Sequence, residues 1–313
     1  MLSIIVPVYN SEKSLPNLLD ALSRVNDAEL ILINDGSTDK SLDILKKFQQ
    51  DIGLSKPIRI IDQLNQGPAA ARNQGIRAAK GSHIAFIDSD DTIDFKLLND
   101  AYSAIDSAND ITVFNEYNEE TVSLSLGDEL RGKIENSILT FNKIEILGRQ
   151  VVYFPAPWGK IYRTDIIKQN DVFFPLDVYV GEDMLFNLRL IQVANTIGFN
   201  RKVFYSYEIN PYSLTNSFTI NIADNLYAFV SNLKDLIADS LLKKMLPSFI
   251  ITDILRCIRS KKNKEELDKI ADLIKMEHLE FKGLNLKQKV LFFLINNRMW
   301  GAISLLVTIQ DRL

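Results

Sequence analysis

The chain has 313 residues, enough for one full hydrophobic core and a smaller addition. Its net charge of −4, with 24% charged and 46% hydrophobic residues, is that of an ordinary globular protein and argues against a general nucleic-acid binder. The single cysteine, Cys257, rules out an intrachain disulfide and a thiolate metal cluster, and the two histidines, His83 and His278, are too far apart in sequence to support a histidine zinc site or a Ser–His–Asp triad.

Leu2 to Val8 is short, apolar and rich in Ile and Val, and predicts a buried strand. It lacks a basic region and a cleavage site, so no signal peptide is expected there. Ser11 or Ser14 is placed to cap a helix running to about Val25, with Leu15, Leu18, Leu19 and Leu22 on the face toward the sheet. Glu29 to Ile33 predicts a second strand, broken by the turn-forming run Asn34-Asp35-Gly36-Ser37-Thr38-Asp39. A helix with Leu42, Leu45 and Phe48 on one side follows, then a strand over Ile58 to Ile61. Asn65-Gln66-Gly67-Pro68 leads into an alanine-rich helix, Ala69 to Ala79, with Arg72 and Asn73 in its first turns. A fourth strand, Ile84 to Ile87, runs into Asp88-Ser89-Asp90-Asp91.

Three carboxylates within four residues repel one another unless a positive charge sits among them, and hard oxygen ligands suit magnesium or manganese. An isolated acidic run more often faces water. Here it ends a buried strand after three strand–helix units, which imply a mainly parallel sheet with helices on both faces. Ligands bind such sheets beyond the carboxyl ends of the strands, so Asn10, Asp35, Asn65 and Asp88 should converge on one edge.

Beyond Phe95 the pattern is weaker. Phe95 to Ser107 reads as a helix, Ile111 to Asn115 as a strand, and Ser123 to Leu126 as an edge strand. Tyr153 to Arg163 is a proline-broken aromatic loop entering a strand, and Glu182 and Asp183 open an apolar helix to about Val193, where helix capping alone accounts for both acids. Val203 to Ser206 is expected to close the fold as a strand. After about Pro211 the patterns become long and helical. From Asn221 onward there are fifteen Lys/Arg against eleven Asp/Glu, with basic clusters at Lys243-Lys244 and Arg256 to Lys264. No apolar run reaches the length of a membrane span. A helical subdomain is the simpler account of this region. A sharper one places Lys287 to Leu313, with Trp300, at a membrane interface with basic anchors.

Taken in order, Ile5-Val6-Pro7-Val8-Tyr9-Asn10, Asn34 to Asp39, Asn65-Gln66-Gly67 with Ala71-Arg72-Asn73, and Asp88 to Asp91 closely resemble the family 2 glycosyltransferases of GT-A fold. Trp158-Gly159-Lys160-Ile161-Tyr162 and Gly181-Glu182-Asp183 extend the resemblance to about Tyr207. It implies an α/β, Rossmann-like catalytic domain over 1–210 with a mixed, mainly parallel sheet, and a C-terminal helical region over 211–313 outside the match. The implied activity is an inverting, metal-dependent transfer from a nucleotide-diphosphate sugar, most often UDP-linked, to a hydroxyl of a glycan or lipid-linked glycan. Carried over by residue, Pro7, Val8, Tyr9, Asn10, Asp35, Gln66, Gly67, Arg72, Asp88 and Ser89 line the nucleotide-sugar site, with Asp35 toward the uracil edge and Arg72 toward base or diphosphate. Asp88 and Asp90 form the DXD pair, Asp90 and Asp91 meet a Mn2+ or Mg2+ ion, and Asp183 resembles the general base. Trp158, Lys160 and Glu182 are acceptor candidates. Trp158 and Tyr162 serve equally well as sugar-stacking or core aromatics. Asn34 departs from the second Asp found in many relatives. The family context implies cytoplasmic assembly of a bacterial surface polysaccharide (capsule, exopolysaccharide, O-antigen or wall polymer) with peripheral contact at the inner membrane face. Sugar, acceptor and oligomeric state stay open.

Asp88-Ser89-Asp90-Asp91-Thr92 also matches the DxDxT of haloacid-dehalogenase-type phosphatases, although that motif belongs on a first strand. A pyrophosphorylase lacks its Gly-rich basic loop here, and a dinucleotide-binding dehydrogenase lacks G-x-G-x-x-G. A non-catalytic sugar-nucleotide module would need neither the acidic run nor Asp183.

Overall fold

The computed structural model describes residues 1–114, 122–146, 148–206, 221–260, 264–279 and 285–310. Asn115, Tyr207, the expected boundary at 210/211 and part of the Arg256 to Lys264 cluster lie outside them. The chain forms two compact units: Met1–Leu176 with Glu182–Pro211, and Asp177–Gly181 with Tyr212–Leu313.

The strands of the first unit are β1 (Leu2–Val8), β2 (Ala28–Asp35), β3 (Ile58–Gln63), β4 (His83–Phe86), β5 (Thr92–Ile93), β6 (Ile111–Phe114), β7 (Val122–Ser125), β8 (Ile144–Ile146), β9 (Arg149–Val151), β10 (Lys160–Arg163), β11 (Thr196–Asn200) and β12 (Tyr205–Ser206). Eight of them form one sheet in the order β3-β2-β1-β4-β10-β6-β11-β7. β3, β2, β1 and β4 run parallel, β10 is antiparallel to both its neighbours, β11 is parallel to β6, and β7 closes the edge antiparallel to β11. The strand–helix alternation predicts the parallel strands, and the mixed, mainly parallel sheet is the one the family resemblance implies. All of β2 and nearly all of β1 is buried, as expected of parallel strands covered on both faces.

The flanking helices are α1 (Leu15–Ser23), α2 (Ser41–Ile52), α3 (Pro68–Ala78), α4 (Phe95–Ser103), α5 (Asp128–Thr140), α6 (Thr164–Gln169) and α7 (Glu182–Val193). Leu15, Leu18, Leu19 and Leu22 of α1 join Val6, Leu30 and Leu32 in the core. Ser14 stands at the N-cap of α1 but makes no cap bond; its hydroxyl donates to the Ser89 carbonyl at 2.8 Å. The α3 helix lies so close to β1 that a Cβ on Gly75 would sit 2.3 Å from Cγ2 of Ile5.

Two expectations change, and one strand is unexpected. The helix from Phe95 ends at Ser103, not Ser107. The expected closing strand at Val203 shrinks to Tyr205–Ser206, which pairs with Thr92–Ile93 and not with the main sheet. The strand that takes that place in the sheet is β11, whose Thr-Ile-Gly-Phe-Asn run is too short and too mixed to show apolar continuity.

The second unit holds α8 (Ile222–Lys234), α9 (Asp239–Arg259), α10 (Lys264–Met276), α11 (Leu286–Asn296) and α12 (Trp300–Gln310). Residues Asp177–Gly181 join it through Asn225, whose side-chain oxygen accepts from the Tyr179 and Val180 amides at 2.7 and 3.1 Å. Among the described residues no helix is long and apolar enough to cross a membrane. In α11, Leu291, Phe292 and Ile295 are buried, while Val290 and Phe293 are exposed, as are Leu305 and Leu306 of α12.

Candidate functional site

Four loops meet at the carboxyl ends of β1 to β4, and side-chain bonds lace them together. Asn10, in the left-handed region at φ 50°, accepts from the Thr38 amide at 2.8 Å, which ties the loop after β1 to that after β2. Ser11 and Ser89 share a hydroxyl–hydroxyl bond of 2.6 Å, joining the β1 and β4 loops. Asp35 is 3% exposed, and its two oxygens accept from the Gln66 and Gly67 amides at 2.9 and 2.8 Å. It thereby organises the loop that starts α3. Gly36 (φ 67°) permits the approach, since a Cβ there would lie 2.6 Å from the Asn65 nitrogen. The sequence expectation that Asn10, Asp35, Asn65 and Asp88 converge thus holds in space. Tyr9 is half exposed at this edge, beside Pro7, Val8 and Asn10.

The electrostatic centre is Arg72. Its guanidinium, 5% exposed, reaches Asp88 at 2.9 Å, Asp183 at 3.1 Å and Glu182 at 3.3 Å. It packs over the Phe174 ring at 5.3 Å. The positive charge that the acidic run demands is therefore supplied in part by the protein, from a helix whose Arg72 is 16 residues before Asp88 and 110 before Glu182. Burial opposes the guanidinium charge, but Asp183, Asp88 and Glu182 outweigh it, so Arg72 stays charged. Asn73 explains its place in the motif: it donates to the Phe174 carbonyl at 2.8 Å and accepts the Phe174 amide at 2.9 Å, as a strand neighbour would.

Glu182 and Asp183 open α7 and are held there by more than capping. Burial, then the Asp183 charge, push the Glu182 carboxyl up to about 8 against the pull of Arg72. Burial also raises Asp183, with Arg72 opposing and Asp88 adding to it; a hydrogen bond from Glu182 favours the Asp183 carboxylate. The environment thus splits two adjacent acids into a proton holder, Glu182, and a partly exposed carboxylate, Asp183.

Lys160, an acceptor candidate from sequence, turns inward. Its ammonium is 2% exposed and donates to the Phe154 and Ala156 carbonyls at 2.8 and 2.6 Å. Burial lowers its pKa to about 7 despite Asp183 nearby. It pins the 153–158 loop. Tyr162 resolves as a core aromatic: it is fully buried and its hydroxyl donates to the Pro157 carbonyl at 3.0 Å. Trp158 stacks on Tyr205 with ring centres 5.0 Å apart and planes 4° apart, and Phe154 stacks on Trp158 at 6.5 Å. The half-exposed ring of that stack is Phe154, which sequence reasoning passed over.

In the acidic turn, Asp91 is 2% exposed and accepts from the Tyr205 hydroxyl, Asp88 is engaged by Arg72, and Asp90 is partly exposed. Among the described residues no three His, Cys, Asp or Glu side chains form a metal cage. The donor set is nevertheless all hard oxygen, which fits a magnesium- or manganese-type ion completed by substrate oxygens and water. The turn follows the fourth strand of the chain, and Asp88 is tied to Arg72, an arrangement that does not favour a phosphatase nucleophile.

Comparison with known proteins agrees with this geometry. The family model described as Glycosyl transferase family 2 matches residues 3–170. Among curated relatives, the poly(ribitol-phosphate) beta-N-acetylglucosaminyltransferase TarS of Staphylococcus aureus (strain MW2) is 31% identical over 201 residues, which are 62% of this chain and 33% of TarS. The chain thus spans about a third of the length of that relative. The crystal structure of S. aureus TarS 1-349 in complex with UDP-GlcNAc shares the fold with a TM-score of 0.66 at 21% identity, over 99% of this chain and 91% of that one. The mannosyltransferase PcManGT of Pyrobaculum calidifontis, in complex with GDP-Man and Mn2+, aligns with a TM-score of 0.53 at 13% identity, over 97% and 86% of the two chains.

Proposed function

The chain belongs to glycosyl transferase family 2, and we propose that its acidic site transfers a sugar, with inversion, from a UDP-sugar to a hydroxyl of a glycan or lipid-linked glycan of the bacterial surface. The observation that carries the reading is the single centre formed by Arg72, Asp88, Glu182 and Asp183 at the carboxyl ends of the parallel strands. The UDP-GlcNAc complex of the TarS fragment supports a UDP-linked donor, and the TarS name supports a surface-polymer acceptor.

The donor lies over the loops after β1 to β4. Tyr9, Asn10 and Asp35 receive the nucleoside, with Gln66 and Gly67 of the loop that Asp35 shapes, and Arg72 and Ser89 border the diphosphate. Asp90, the partly exposed acid of its turn, would hold a divalent cation, which when bound would supply positive charge to offset that developing on the departing nucleoside diphosphate. Asp183 takes the proton from the acceptor hydroxyl as that oxygen attacks the anomeric carbon from the face opposite the leaving group. One displacement with one base and no enzyme nucleophile inverts the centre. Glu182 keeps its proton and donates a hydrogen bond to Asp183, which favours the base as a carboxylate. Phe154 and Trp158 border the acceptor side, where Lys160 fixes the loop. The catalytic domain spans 1–210, and the helical region over 211–313 makes peripheral membrane contact through the exposed apolar side chains of α11 and α12.

The test is release of UDP from a panel of UDP-sugars with manganese, with and without a poly(ribitol-phosphate) acceptor. UDP release that rises with acceptor supports the reading. Phosphate release from simple phosphomonoesters with no UDP release would return the site to a phosphatase.

A further inference from the structure

The turn Asp88 to Asp91 is held by a residue to which no motif points. The turn closes on itself, the Asp91 amide donating to the Asp88 carbonyl at 3.2 Å. Below it lies Tyr205, 6% exposed, on β12. A phenol oxygen has one proton to give and two lone pairs to accept with. Tyr205 gives its proton to the Asp91 carboxylate and accepts the Asp88 amide at 3.2 Å. One oxygen therefore binds the first and last residues of the turn.

Tyr205 is itself fixed from two sides. Its backbone pairs with Ile93, two residues past Asp91, in the short β5–β12 ladder. Its ring lies flat on Trp158, with the planes within 4°. The middle of the turn is fixed as well, since Ser89 bonds to the hydroxyls of Ser11 and Ser14. These contacts bind positions 88, 89 and 91 of the turn to the protein, and position 90 between them is partly exposed. Asp91, at 2% exposed with its carboxylate on Tyr205, is the member least placed to meet a ligand.

We propose that Tyr205 is a positioning residue for the donor: its hydroxyl locks Asp91 and the Asp88 amide so that Asp90 is presented to the diphosphate and its cation, and its ring couples that turn to the 153–158 loop. Asp91 then shapes the turn and leaves the cation to Asp90. This rests on the donor-site reading given above.

The test uses the full chain, with UDP and Mn2+ as probes in calorimetry. Tyr205→Phe keeps the ring and its stacking and removes only the hydroxyl. We expect Mn2+ affinity in the presence of UDP to fall about 10–100-fold, the range for loss of a group that orients a metal ligand. UDP affinity without metal should stay within about threefold, and excess Mn2+ should restore UDP release, which a loss of folded protein would not allow. In a double-mutant cycle with Asp91→Asn the effects should be strongly non-additive, because Tyr205 acts through Asp91. Trp158→Phe, which loosens the stack and leaves the hydroxyl, should weaken Mn2+ binding in the same direction by a smaller factor; it carries the test if Tyr205→Phe does not fold. Mn2+ affinity unchanged within about twofold in the folded variant, or additive effects in the cycle, would overturn the proposal. Failure of the unsubstituted protein to bind UDP with any cation is a different result: it removes the donor-site reading itself.

Discussion

Removing the Arg72 charge should expose how the acidic centre is balanced. Arg72→Met keeps much of the buried stem and deletes the guanidinium. Three carboxylates at 2.9 to 3.3 Å, with side chains 11 to 28% exposed, then lose their common partner. Removing one member of a buried ion pair costs about 3–5 kcal/mol, because the remaining charge is left in a poorly solvated site. At about 2–4 °C per kcal/mol for a unit of this size, the melting temperature should fall by roughly 6–20 °C near pH 8.5. The pH dependence gives the sharper check. Glu182 titrates at about 8 and Asp183 above its ordinary value even with Arg72 present. Without it both rise further, so the folded variant binds more protons than the unfolded chain over a wider window. Its stability is then lost as pH rises through that window and regained as pH falls. The gap to the unsubstituted protein should be widest at alkaline pH and narrow as pH falls, as the raised Glu182 and Asp183 carboxyls take up protons. Thermal unfolding by circular dichroism from about pH 5 to 9 measures it. A gap under about 2 °C at alkaline pH, or one that widens toward acid, would refute the reasoning.

Other predictions follow from single contacts. Asp183→Asn should lower sugar transfer by about 10²–10⁴-fold while UDP binding changes only a few-fold, measured by transfer kinetics and calorimetry on the same preparation. In the unsubstituted enzyme the transfer rate should rise with pH, on a limb set by the raised Asp183 carboxyl, and Asp183→Asn should abolish that limb. Lys160→Met should leave the Phe154 and Ala156 carbonyls without their donor, raising the acceptor KM with little change in UDP affinity. Gly75→Ala should destabilise the first unit by about 1–3 kcal/mol, since the new methyl must displace Ile5 of the central strand; an unchanged denaturant midpoint would contradict the close packing of α3 on β1.

The parts of the fold legible in sequence are those where local signals agree. β1 and β2 are continuous apolar runs, each ended by a turn cluster, and the alternation with helices fixes a parallel sheet and one ligand edge. Asp35 and Asp88 could be named because each lies at a strand end, whereas Arg72 and Asp183 are named through the family resemblance. Their partners were not legible, because the bonds that define their roles span long separations: 110 residues from Arg72 to Glu182, 114 from Tyr205 to Asp91 and 101 from Asn73 to Phe174. Sequence placed the acidic tension in Asp88 to Asp91 and called for a cation. The structure shows Arg72 as one such charge and the raised carboxyls at Glu182 and Asp183, where sequence alone reads helix capping. Lys160 shows the same limit. A lysine in an aromatic loop reads as a ligand contact, and only the fold shows its ammonium turned onto two backbone carbonyls. β11 escaped notice because a glycine and two polar residues leave too little apolar continuity in five positions.

The most direct test of the central claim is calorimetric titration with UDP, GDP and dTDP, each with and without Mn2+. The account predicts that UDP binds more tightly than the other two and that Mn2+ strengthens it. Absence of nucleotide binding under every condition would contradict the account and leave the acidic centre without its proposed donor.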